Sequence, residues 1–185
     1  RWDPPEERIL VEIYPETEPF ATATTLSMQE INTSGAVAIC KFNRVMITSP
    51  RLYLQGYRWA DTLAHELTHY VLIRKTAHNL PVWLHEGTAK YCETLWRSGS
   101  SASRLTPMQS TLLAEAREGD RFISFDRMHT SLVKLDSSEE VALAYAEVVS
   151  FIHFLHHLRG ENPLPDLIDR VAGGEDFHSA LREVG

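Results

Sequence analysis

The sequence predicts an α+β fold, with a small strand-rich part first and a mainly helical part after it. Three observations carry this. Runs rich in β-branched residues, Ile9–Tyr14 and the stretch from Ala36 to Thr48, sit near the start and are bounded by Pro15, Gly35 and Pro50. From Arg58 onward the apolar residues recur at helical spacing over long stretches without Gly or Pro. Strands and helices do not alternate in the manner that builds a doubly wound parallel sheet.

Taken in order, Arg8 to Tyr14 predicts the first strand, closed by Pro15. Phe20 to Ile31 has helix-length apolar recurrence and predicts one helix. The stretch after Gly35 predicts two short strands about a turn near Asn43. Arg58 to Ala77 predicts a long helix, with Trp59, Leu63, Leu67, Tyr70 and Val71 on its core-facing side. Pro81 starts a second helix. The small polar stretch from Arg97 to Ser103 predicts a flexible loop. Thr106-Pro107-Met108-Gln109 reads as a capping box opening a helix that ends near Gly119. Phe122 to Leu135 shows neither period and is irregular or strand-like. Ser137-Ser138-Glu139-Glu140 opens the longest apolar helix, ending at Gly160. A helix from Pro163 or Pro165 to Ala172 follows, stopped by Gly173-Gly174, and Asp176 caps a last short one.

Length and composition bound the function. At 185 residues and 43% hydrophobic, one domain with an ordinary core is expected. Its parts are a strand-rich 1–57, a helix pair over 58–97 and a helical lobe over 98–185. A net charge of −7 without a basic cluster gives no sign of nucleic-acid binding. No apolar run is long enough to span a membrane. The start at Arg1, without Met or a leader, suggests an excised domain or mature form, which leaves room for flanking domains. Cys40 and Cys92 are the only cysteines; two buried thiols are favoured over a bridge.

The chemistry is concentrated in His65-Glu66-Leu67-Thr68-His69. On a helix, residues i and i+4 stack on one face about 6 Å apart, so both imidazoles can converge on one metal ion. Glu66, about 100° further round, is poorly placed as a ligand from the same turn. It is well placed as general base toward a water at the metal's open position. A catalytic zinc needs a third protein ligand. Glu86, in the second helix, is preferred over its neighbour His85, because Gly87 and Ala89 beside it permit close helix approach. His153, His156 and His157 also have metal-compatible spacing. A polar stripe near a helix C-terminus is their favoured role.

HELTHYVL followed by LPVWLHEGTAKYCE resembles the gluzincin metallopeptidases, and within them the bacterial peptidase MA-like group. The resemblance is specific over residues 58–97. It implies a zincin-like fold, with one Zn2+ on His65, His69 and Glu86, and with Glu66 as general base. The family's tryptophan and glycine fall on Trp83 and Gly87. Ala144-Tyr145-Ala146-Glu147 is similar to a family phrase from which a tyrosine hydrogen-bonds the tetrahedral intermediate. That makes Tyr145 the candidate for this role; the alternative is a core tyrosine. The family plan also implies an exposed edge strand above the zinc helix that pairs with extended peptide. Strand 45–48 is the candidate, with an interior strand as the alternative. A peptide or protein substrate is therefore expected. No G-x-M-E-N strand is present, which favours an endopeptidase over an aminopeptidase. Relatives often follow signal sequences, which implies an exported or periplasmic setting.

Second-sphere acceptors should orient the ligand imidazoles. Asp61 and Glu93 are the candidates, with an exposed helix carboxylate as the default for both. Three rival classes stand beside the peptidase: a zinc-binding structural or interaction module, a hydrolase of a non-peptide amide and, last, a non-metal helical interaction domain, which leaves His65, Glu66, His69 and Glu86 unexplained.

Overall fold

A computed structural model describes residues 7–98, 105–132, 135–157 and 163–184. Of the expected polar loop at 97–103, residues 97 and 98 instead end a short helix and the rest lies outside these residues, as does the helix stop at Gly160. Contacts divide the chain into two compact units, Arg1–Val71 and Leu72–Gly185.

The first unit is built on a three-stranded sheet. Its strands are β1 (Val11–Tyr14), β2 (Ala38–Lys41) and β3 (Arg44–Thr48), in the order β1-β3-β2. β1 runs parallel to β3, with Val11 opposite Val45 and Tyr14 opposite Thr48. β2 and β3 form the expected hairpin, Cys40 opposite Val45 and Lys41 opposite Arg44. Phe42 and Asn43 make its two-residue turn, with φ of 55° and 57°. Positive φ at both central positions matches the right-handed strand twist, as in a type I′ turn. The edge-strand expectation for 45–48 is corrected here. β3 is the central strand, paired on both sides, so its backbone groups are already committed and cannot receive an added peptide.

A second correction concerns Phe20–Ile31. Instead of one helix there are two, α1 (Thr17–Thr24) and α2 (Met28–Ser34). Thr25 ends α1 in the left-handed conformation, at φ 61°. Ser27 then restarts the chain through a capping box. The Glu30 N–H donates to Ser27 Oγ at 3.1 Å, and the Ser27 N–H donates to Glu30 Oε2 at 2.8 Å. The S-x-x-E start signal was present, hidden inside a continuous apolar recurrence. Both helices cover one face of the sheet, burying Phe20, Ala21 and Ile31 with Met46.

The opposite face receives α3 (Trp59–Thr76), the expected long helix. Leu63, Leu67 and Val71 pack beside Tyr70, Val45 and Ile47. Trp59 departs from the expectation; at the first helical position it is 49% exposed. A 3₁₀ turn at Pro50–Leu52 leads into α3, and the Tyr57 hydroxyl donates to the Thr48 carbonyl, tying strand to helix.

The second unit is helical: α4 (Val82–Cys92), α5 (Leu95–Ser98), α6 (Pro107–Gly119), α7 (Ser138–His157), α8 (Pro163–Ala172) and α9 (Phe177–Val184). The start signals fall where expected. Thr106 and Gln109 form the capping box of α6. Ser137 Oγ accepts from the Glu140 N–H at 3.1 Å, and Asp176 Oδ2 accepts from the Ser179 N–H at 3.1 Å. The core gathers on Trp83, which stacks on Phe125 at 4.2 Å and meets Phe151 and Phe177 edge-on.

The stretch without period, 122–132 as described, contains no strand. It is a chain of turns held by its side chains: Phe125 on Trp83, and the buried Met128 and Leu132. Its backbone is tied to α7, where Glu147 Oε1 accepts from the Ile123 N–H at 3.0 Å. Burial holds the Glu147 carboxyl above the usual carboxylate range, against the opposing pull of that N–H. The sign follows from linkage. Below the ordinary carboxylate pKa, both folded and unfolded chains carry the proton and nothing is lost. As pH rises towards the raised value, only the unfolded chain ionises freely, and stability falls. Glu147→Gln keeps the acceptor oxygen without the charge. Its melting temperature should exceed that of the parent at about pH 7 and match it at about pH 3.

Candidate metal centre

α3 is continuous from Trp59 to Thr76, so its i, i+4 positions hold the expected geometry. Asp61 lies in its first turn and Arg74 and Lys75 in its last, each charge opposing the helix dipole. Within it, His65 and His69 are half-buried and Glu66 is buried. The two imidazole Nε2 atoms face each other at 3.1 Å, with the rings inclined at 78°. Two nitrogens on one tetrahedral zinc, at Zn–N of about 2.0–2.1 Å, stand about 3.3 Å apart. The pair is therefore already at ligand spacing.

The chain leaves α3 through Ala77 and His78, both left-handed, at φ 48° and 66°. Residues 77–81 then lead into α4, whose N-cap is Pro81. On α4, Glu86 is half-buried and its Oε2 accepts a hydrogen bond from the Tyr145 hydroxyl of α7 at 3.2 Å. His65, His69 and Glu86 each offer one ligand atom, and these three atoms lie within 4.8 Å of one another. Two imidazoles and one carboxylate are the donor set of a catalytic zinc, which keeps its fourth position open. The residues present therefore fit the ion. Among the described residues this is the one such group of three.

His85, the rival third ligand, is outside that group. Burial pushes its pKa down to about 4, so it is a neutral imidazole near pH 7. His153 and His156 pack against the Tyr91 ring at 5.1 and 5.4 Å. The side chain of His157 lies outside the described residues.

Asp61 and Glu93 both depart from the default of an exposed carboxylate. Asp61 is 8% exposed and lies 3.6 Å from the Arg58 guanidinium. Glu93 pairs with Lys90 of its own helix at 2.9 Å. The sequence did not single out Cys40 as a neighbour of the motif. Its thiol is pushed up to about 12, first by burial and then by the negative charge of Glu66. The available signal was strand alternation, which puts Cys40 and Ala38 on the α3 face of β2.

A helix carrying two histidines at i and i+4, with a glutamate from the following helix, defines the class of zincin-like domains. The family model described as the peptidase MA superfamily matches residues 5–185, and the chain belongs to that superfamily. It is thus a zinc metallopeptidase-like domain, in a superfamily that is generally zinc-dependent. No curated protein and no solved structure matches it significantly. No helix among the described residues is long and apolar enough to cross a membrane.

Proposed function

We propose that the domain is a zinc-dependent peptide-bond hydrolase, an endopeptidase in preference to an aminopeptidase. The observation that carries it is the convergence of His65, His69 and Glu86 within 4.8 Å, beside a buried carboxylate that is not one of the three. A zinc ion there would acidify water from a pKa of about 9 towards about 7 and polarise the scissile carbonyl. His65 and His69 hold the ion as neutral imidazoles, both from one rigid rod, so little ordering remains to be done on binding.

Glu66 acts as the general base. Set about 100° round the helix from His65, it takes the proton of the attacking water and returns it to the leaving amine. Its burial beside the neutral Cys40 thiol strengthens each electrostatic interaction it makes. Tyr145 donates its hydroxyl to the developing oxyanion; its contact with Glu86 supports a place beside the reacting carbonyl. Removing one such donor typically lowers turnover 10²–10³-fold, about 3–4 kcal/mol. With zinc saturating, Tyr145→Phe should show that loss in kcat. A change confined to the melting temperature would make the tyrosine a core residue.

The direct test is cleavage of an unfolded protein by the purified domain. Cleavage should cease with a chelator and return with zinc, and mass spectrometry of the products should show internal cuts. Zinc binding without any cleavage would leave a zinc-binding module, and cleavage indifferent to chelation would end the metal reading.

A further inference from the structure

The Tyr145–Glu86 hydrogen bond implies a second task for Tyr145, and it gives one to Gly87. A glutamate ligand has two oxygens and a flexible side chain, and binds a metal well only when its carboxylate is held in orientation. Here the Tyr145 hydroxyl donates to Glu86 Oε2 and so holds the carboxylate in one orientation. At 3.2 Å the bond is longer than the 2.5–3.0 Å typical of O–H···O pairs, so a further shift of a few tenths of an ångström would break it.

What sets that spacing is the residue next to Glu86. A Cβ built on Gly87 would lie 3.1 Å from the Val148 carbonyl oxygen, 3.1 Å from Ile152 Cγ1 and 3.2 Å from Val148 Cβ. One of these neighbours is backbone and cannot rotate away. Val148 follows Tyr145 by one helical turn. A side chain at 87 therefore makes a tighter than ordinary contact with α7, and its neighbours must give by a few tenths of an ångström at the turn from which the hydroxyl reaches the carboxylate.

We propose that Tyr145 and Gly87 are positioning residues for Glu86: the tyrosine fixes the carboxylate's orientation, and the glycine fixes the helix spacing at which the tyrosine can reach it. This rests on Glu86 as a zinc ligand and concerns the domain without substrate; the hydroxyl has one proton, so donating to an oxyanion means releasing Glu86.

The test is zinc affinity, measured on the whole chain by competition with a chromophoric chelator, with melting of the zinc-free protein as the control. Tyr145→Phe should weaken zinc binding about 10–100-fold, the usual effect of losing a partner of a metal ligand. Gly87→Ala should weaken it as well. In the Tyr145→Phe background, however, adding Gly87→Ala should cost little more, because the glycine acts through the hydroxyl. Fully additive losses would overturn the glycine's role. If Gly87→Ala does not fold, Tyr145→Phe decides alone, and parental zinc affinity in that variant would overturn the proposal. The two readings fail differently. A parent that binds zinc, with His69→Ala blind to it and Tyr145→Phe unaffected, keeps the metal site and sinks this inference. A parent that takes no zinc sinks both.

Discussion

Glu66→Gln is expected to keep the metal and lose hydrolysis. The substitution preserves the shape of a buried side chain and removes only its ability to accept a proton. Glu66 is not among the three groups offering ligand atoms, so zinc content should stay at one per chain. Loss of a general base typically costs 10²–10⁴-fold, about 3–5 kcal/mol of transition-state stabilisation. The measurement is kcat/KM on an unfolded protein, with zinc counted by metal analysis of the same sample. Turnover equal to the parent would remove the assignment of the base. Loss of zinc together with turnover would place Glu66 among the ligands.

His69→Ala is expected to abolish zinc binding. Two nitrogens 3.1 Å apart form the preset half of the site, and one imidazole with one carboxylate cannot hold a catalytic zinc alone. The effect also reads out in stability. A ligand that binds only the folded chain stabilises it by about 2.7 kcal/mol at 100 times its Kd. The parent should therefore melt at a higher temperature with zinc than with a chelator, and His69→Ala should melt at one temperature in both. Unchanged zinc content in the variant would dismantle the ligand set.

Much of this fold is legible in the sequence. Capping chemistry marked the starts of α6, α7 and α9, because Thr106, Ser137 and Asp176 act within four residues of themselves. The hairpin at Phe42 and Asn43 was legible for the same reason. The break at Thr25 and Ser27 was missed, although its signal was local; the apolar recurrence running across it masked the cap. Residues 122–132 were legible only as irregular or strand-like, and they are irregular. They are placed by Phe125 on Trp83 and by Ile123 on Glu147, partners 42 and 24 positions away, and no local period encodes such pairings.

The sequence by itself determined the half of the site that lies along one helix. His65, Glu66 and His69 are fixed relative to one another by 3.6 residues per turn, a property of the backbone that needs no other part of the chain. The tertiary structure decided the rest. It put Glu86 with His65 and His69 in a group of possible ligand atoms that does not include His85, one residue away. It put β3 at the centre of the sheet rather than its edge, because β1 pairs on the side the hairpin leaves open. It brought Tyr145 to Glu86 across 59 positions. Those choices depend on which surfaces pack, and packing joins residues by volume and burial rather than by their distance along the chain.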